Sequence, residues 1–136
     1  MVVVQPSILI TDDDRQFRET LRGVLAPRGF RTLLAGDGEE ALEIVRGAEV
    51  HVLLLDMHMP KLTGIETLRE VRRIRGLLPC ILLSAHMDDA TRDEALSAHA
   101  FSVLAKPVRR REITEAIEQA MRSVYGWDRD RQGSAS

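Results

Sequence analysis

The chain has 136 residues, 44% hydrophobic and 29% charged, enough for one domain with a buried core and little more. A formal net charge of −2 gives no footing for direct nucleic-acid binding, and the longest apolar runs fall far short of the roughly 20 residues that cross a bilayer. One cysteine, Cys80, excludes an intramolecular disulfide, and the start Met1-Val2-Val3-Val4-Gln5-Pro6 lacks the features of a secretory signal, so a cytoplasmic location is expected.

Short apolar runs alternate with amphipathic stretches. Ile8-Leu9-Ile10 precedes three consecutive acids, Asp12, Asp13 and Asp14, of which Asp14 is expected to cap a helix. Phe17, Leu21, Val24 and Leu25 then recur at helical spacing, and Gly29 follows where that helix should stop. After Thr32-Leu33-Leu34, Asp37-x-x-Glu40 reads as a capping box for a helix with Ala41, Leu42 and Val45 on its apolar face, ending near Gly47.

The third run, Val50 to Leu55, ends in Asp56. Thr63-x-x-Glu66 opens a helix carrying Leu68, Val71 and Ile74, before Gly76. Cys80 to Leu83 is the fourth run, with Cys80 expected as a buried small hydrophobe. The stretch from Asp88 to Ala98 is weakly amphipathic, built on Ala90, Ala95 and Ala98. Phe101 to Leu104 is the fifth run. Ile113, Ala116, Ile117, Ala120, Met121 and Val124 give the clearest helical stripe, stopping at Gly126. Residues 126–136 read as a polar tail or truncated linker, which puts the domain at 1–125.

Several runs are apolar on consecutive residues, as in strands buried on both faces of a parallel sheet. Five strand-then-helix units predict an α/β fold, (βα)5, doubly wound, with helices on both faces of a five-stranded sheet. With right-handed crossovers the expected strand order is 2-1-3-4-5.

In such a sheet ligands bind beyond the carboxyl ends of the strands, where the order reverses, here between strands 1 and 3. That point gathers Asp12, Asp13 and Asp14 with Asp56. Crowded carboxylates raise one another's pKa unless a cation neutralises them, and hard oxygen donors suit Mg²⁺, with Mn²⁺ the alternative. Ser84 ends strand 4 and Lys106 follows strand 5, at the same edge. A Mg²⁺ and a lysine flanking a carboxylate can hold a phosphoryl group and balance the charge on its oxygens, with the carboxylate as nucleophile. His58, His86 and His99 lack metal-ligand spacing. Arg109, Arg110 and Arg111 read as a solvated face beside Glu112 and Glu115.

Four segments together resemble the receiver domain of two-component response regulators: Ile8-Leu9-Ile10-Thr11-Asp12-Asp13-Asp14; Leu54-Leu55-Asp56-Met57-His58-Met59-Pro60-Lys61-Leu62-Thr63-Gly64; Leu82-Leu83-Ser84-Ala85-His86; and Ala105-Lys106-Pro107. The resemblance covers about residues 6–125 and implies a flavodoxin-like fold. It implies that Asp56 is the phosphoacceptor and Asp13 a direct Mg²⁺ ligand, with Asp12 acting mainly through water. The backbone carbonyl of His58 completes the ligands. Ser84 swings its hydroxyl to the phosphoryl group, Lys106 pairs with it, and Pro107 shapes the turn, often through a cis bond. The implied donor is a histidine kinase, a phosphotransfer protein or a small acyl phosphate. The implied outlet is a downstream partner or output domain on the helix 4–strand 5–helix 5 face, with a homodimer formed on phosphorylation a further expectation.

One position departs from the family. Three residues before the lysine, where receivers carry a switching aromatic ring, stands Val103, and Phe101 is not expected to replace it. Readout is then expected through a backbone or helix 4 shift. The alternative is a pseudo-receiver, a binding module that is never phosphorylated; the complete set of acids, hydroxyl and lysine argues against it. A haloacid-dehalogenase-type enzyme would want a second aspartate where His58 stands, so no enzyme activity is expected beyond the domain's own phosphorylation and dephosphorylation.

Overall fold

The computed structural model describes residues 3–129. Five parallel strands, β1 (Ser7–Thr11), β2 (Arg31–Ala35), β3 (Val52–Asp56), β4 (Cys80–Ser84) and β5 (Ser102–Ala105), stand in the order β2-β1-β3-β4-β5. They alternate with α1 (Arg15–Leu25), α2 (Gly38–Gly47), α3 (Gly64–Ile74), α4 (Asp89–Ser97) and α5 (Arg110–Tyr125). The predicted architecture and strand order are those observed.

The consecutive apolar residues divide between two cores according to strand parity. Leu9, Leu53, Leu55, Leu82 and Val103 pack with Leu42 and Val45 of α2, Leu68 and Val71 of α3, and Ala95 of α4. Ile8, Ile10, Val52, Leu54, Ile81 and Leu83 pack with Leu21 and Leu25 of α1 and Ile113, Ile117 and Met121 of α5. Phe101 lies just before β5 and packs with the α1–α5 core, whereas Val103 faces the α4 side, so the ring does not stand in for the missing aromatic.

Helix starts follow the caps with one difference. Asp14 accepts from the amides of Gln16 and Phe17, and Thr63 and Glu66 form a complete capping box. Asp37 accepts from Glu40 N at 2.8 Å, but the Glu40 carboxylate turns to Gly36 N at 3.1 Å, so only half of that box forms. Gly29 (φ 92°) and Gly126 (φ 66°) take left-handed conformations that end the 3₁₀ turn after α1 and end α5. Gly47 and Gly76 have no such backbone; α2 and α3 are capped by Ala48 and Arg75.

The expected tail begins later than composition suggests. Trp127 is 5% exposed within the α1–α5 core, its ring 6.1 Å from that of Phe30. Arg129 lies over both rings and pairs with Glu118 at 2.7 Å. The packed chain therefore continues past α5 through Arg129; residues 130–136 of the expected tail lie outside the described residues. Among the described residues no helix is long and apolar enough to cross a membrane.

Candidate functional site

Parallel pairing sets the carboxyl ends of the strands at one edge. Thr11 of β1 pairs with Leu55, one residue before Asp56, and Asp56 pairs with Leu83, one residue before Ser84. Ser84 pairs with Ala105, one residue before Lys106. Residues far apart in sequence thus meet because each is the last residue of its strand or follows it directly.

Asp12 and Asp56 are buried, at 1% and 5% exposure, and Asp13 is exposed. Donor oxygens of all three lie within 4.8 Å of one another. Lys106 Nζ is 2.7 Å from Asp12 Oδ2 and 3.5 Å from Asp56 Oδ1, and lies 4.3 Å from the centre of the Phe17 ring. One ammonium therefore serves a cluster of three carboxylates. The excess of negative charge on hard oxygen donors fits Mg²⁺ or Mn²⁺.

Backbone N–H groups and the Arg18 side chain fix the two buried acids. Asp14 N–H donates to Asp12 Oδ1 at 2.9 Å, and Arg18 Nη1 donates to the Asp12 carbonyl at 2.6 Å. His58 N–H donates to Asp56 Oδ1 at 3.3 Å. Burial, reinforced by the Asp12 charge, raises the Asp56 pKa from its ordinary value of 3.8, and the Lys106 charge opposes the rise. The loop after β3 closes through Gly64 N–H to the Met57 carbonyl at 3.1 Å. A Cβ at Gly64 would lie 2.5 Å from the Asp56 carbonyl oxygen, so this close approach requires glycine.

Ser84 is fully buried, and Lys106 N–H donates to its carbonyl at 2.8 Å. The Lys106–Pro107 bond is cis. Val103 is buried at 5% exposure on the α4 side of β5. Asp12, Asp13, Asp56, Ser84 and Lys106, singled out in the sequence, are thus brought to one edge.

Sequence reasoning missed the His58 side chain. Treated as a backbone ligand only, it places Nε2 3.2 Å from Ser84 Oγ and sets its ring edge-on to that of His86. No spacing rule signals this contact, because both histidines lie in loops beyond strand ends. At Phe17 the sequence signals only a helix face, not a ring beneath Lys106.

A profile for the response regulator receiver domain matches residues 8–118. The transcriptional regulatory protein CpxR of Klebsiella pneumoniae subsp. pneumoniae (strain HS11286) is 38% identical over 125 residues, covering 92% of this chain and 53% of that protein. The response regulator MprA of Mycobacterium leprae (strain TN) is 39% identical over 115 residues, covering 85% and 50%. The chain spans about half the length of these curated relatives.

Among solved structures, a response regulator receiver domain protein from Clostridium thermocellum superposes with a TM-score of 0.82 at 31% identity, over 87% of this chain and 95% of that one. The receiver domain of Francisella response regulator 1452 gives 0.83 at 28%, over 88% and 98%. Sequence match, strand order and the acidic strand-end site agree, and the chain belongs to the response regulator receiver domain family of two-component signal transduction.

Proposed function

We propose that the protein accepts a phosphoryl group on Asp56 from a phosphohistidine donor, a histidine kinase or phosphotransfer protein, in a Mg²⁺-dependent reaction. The observation that carries this reading is the placement of the Asp56 carboxylate. It is buried at the end of β3, with its donor oxygens among those of Asp12 and Asp13 and the Lys106 ammonium 3.5 Å away.

In the step, an Asp56 oxygen attacks phosphorus and forms an O–P bond. The bond from phosphorus to the donor's imidazole nitrogen or acyl oxygen breaks, and the leaving group departs with the electron pair. Asp12, Asp13, Asp56 and the His58 carbonyl would hold Mg²⁺, which when bound offsets charge on the phosphoryl oxygens. Lys106 supplies a second positive charge to those oxygens, and Ser84 donates its hydroxyl to one of them. Burial and then the Asp12 charge raise the proton affinity of Asp56, so a cation that neutralised Asp12 would remove the second cause and favour the nucleophilic carboxylate. Hydrolysis of the acyl phosphate by water returns Asp56 and releases phosphate, and no further enzymatic activity is assigned.

Readout is proposed to pass through α4. Val103 offers no ring to rotate, and within α4 only Ala95 is buried, so the helix is held by little apolar area and can shift at low cost. A partner or output domain would read the α4–β5–α5 face, in a monomer or a phosphorylation-dependent dimer.

Intact mass after incubation with Mg²⁺ and acetyl phosphate tests the central claim. A single phosphoryl adduct is expected, absent in Asp56→Asn and in EDTA. No adduct where a control receiver is labelled would overturn the reading in favour of a pseudo-receiver. Unchanged α4 amide shifts in the phosphorylated protein would remove the proposed readout.

A further inference from the structure

The phosphoacceptor chemistry uses the His58 carbonyl and leaves its side chain without a role, yet that side chain makes a defined contact. His58 Nε2 lies 3.2 Å from Ser84 Oγ, and His86 N–H donates to the same oxygen at 3.1 Å. The two rings meet edge-on, centroids 5.6 Å apart at 74°. Ser84 is fully buried, and the hydrogen-bond partners of its hydroxyl are His58 and His86, not the Asp56 carboxylate.

A serine hydroxyl has one hydrogen to give and two lone pairs. His86 N–H occupies one lone pair. The His58 ring nitrogen takes a further direction, either as acceptor of the hydroxyl hydrogen or as donor to the oxygen, according to its tautomer. With the tautomer whose Nε2 accepts the hydroxyl hydrogen, the one required here, Ser84 has to give up its His58 bond before it can donate to a phosphoryl oxygen on Asp56.

We propose that His58 is a positioning residue that holds the Ser84 hydroxyl in the unphosphorylated state and thereby weakens the grip of the site on the phosphoryl group. This rests on Asp56 being the phosphoacceptor. The hydroxyl is divided between two competing partners, the His58 ring and the phosphoryl oxygen, and the competition sets how much of the phosphorylated protein has Ser84 engaged. His58 is exposed on its other faces, so replacing it leaves both cores intact. His86, which holds the same oxygen through its backbone, keeps its contact whichever side chain stands at position 58.

The test is a double-mutant cycle at one fixed pH, with beryllofluoride and Mg²⁺ as the probe for the phosphoryl-bearing site. His58→Ala is expected to tighten beryllofluoride binding about three- to tenfold, the range for freeing one modest hydrogen bond. His58→Gln, whose amide oxygen can accept the hydroxyl hydrogen at about the reach of Nε2, is expected to stay within about twofold of wild type. With Ser84→Ala present, His58→Ala should have no further effect. An equal effect of His58→Ala with and without Ser84→Ala, or weaker binding, would overturn the proposal, since the ring would then act on the phosphoryl group or on water directly.

A second readout needs neither metal nor probe. In EDTA, the His86 amide shift should respond to His58→Ala more strongly with Ser84 present than with Ser84→Ala, because loss of the ring itself is common to both. Equal responses would show that the ring does not hold the hydroxyl. Should beryllofluoride fail to bind wild type, the phosphoacceptor reading falls and with it the consequence for the phosphoryl group, while the amide cycle still decides whether His58 positions Ser84.

Discussion

The Lys106 ammonium is closer to Asp12 (2.7 Å) than to Asp56 (3.5 Å), although Asp56 is the residue assigned to receive the phosphoryl group. In this state the lysine is first of all the counter-ion of a buried acid, and its side chain is only 19% exposed. A divalent cation on the three carboxylates would take over that charge balance and leave the ammonium available to a phosphoryl oxygen. Cation and lysine would therefore compete for the same carboxylates before phosphorylation and act together on the phosphoryl oxygens after it.

Lys106→Ala should accordingly move two measurements in opposite directions. Mg²⁺ affinity by calorimetry should rise by about three- to thirtyfold, the scale expected from removing one positive charge a few ångströms away. The rate of labelling by acetyl phosphate should fall by at least about tenfold, because one group balancing charge on the phosphoryl oxygens is gone. Weaker Mg²⁺ binding in the variant would contradict this view of the resting site.

Asp56 is held at a cost to stability. Its pKa lies above the ordinary 3.8, chiefly through burial and then through Asp12. The sign follows: the folded state prefers the protonated acid, so the group's contribution is most favourable below the unfolded pKa and is lost as pH rises through the folded one. Asp56→Asn, which cannot ionise, should raise Tm at pH 7.5 in EDTA by about 2–6 °C, on the scale of about 4 °C per kcal/mol for a domain of this size. The gain should shrink on acidification. Mg²⁺ should raise Tm in wild type and much less in the variant. A variant less stable than wild type at pH 7.5 would mean that the carboxylate is compensated by its neighbours.

Much of this arrangement is legible in the sequence for a geometric reason. A parallel sheet sends the end of every strand to one edge, so Asp12, Asp56, Ser84 and Lys106 need only be recognised as strand ends to be placed together. The division of Leu53 and Leu54 between opposite cores follows from strand parity. What was not legible depends on loops and competition. The direction of the His58 side chain is set by a loop that closes from Gly64 to Met57. Half of the Asp37–Glu40 box is lost because Gly36 N–H competes for the glutamate. Trp127, a single aromatic in a polar context, carries no periodicity, and its burial depends on Phe30 lying nearby in space.

Trp127 should consequently behave as a core residue. Its truncation in Trp127→Ala should cost about 3 kcal/mol in a urea titration followed by circular dichroism. Among the described residues its buried indole Nε1 has no hydrogen-bond partner. Trp127→Phe, which loses area but also removes that donor, should therefore stay within about 1 kcal/mol of wild type. As the chain has one tryptophan, wild-type emission should be that of a buried indole and shift to the red on unfolding. Ending the chain at Gly126 should reproduce the alanine result, and a truncated chain of full stability would return residues 127–129 to the tail.

His51 gives the acid side of the stability curve a specific cause at the edge of the sheet opposite the acids. Its ring is 3% exposed, and Nδ1 accepts from Ser7 N–H at 2.9 Å, a bond only the neutral ring can make. Burial lowers its pKa from 6.5, reinforced by the Arg75 charge and opposed by Glu49, whose Oε1 is 3.4 Å from Nε2. A histidine with a depressed folded pKa contributes stability above the unfolded value and loses it as pH falls from 6.5 toward the lower folded value. Protonation would set an N–H against the Ser7 N–H at the start of β1, a loss of about 1–3 kcal/mol for a buried hydrogen bond broken. In His51→Asn the side-chain carbonyl can still accept from Ser7 but cannot titrate here. Wild-type Tm should therefore fall more steeply than the variant's between pH 7.5 and pH 5.5 in parallel thermal melts. Parallel curves across that window would exclude the Ser7–His51 bond as the source of acid sensitivity.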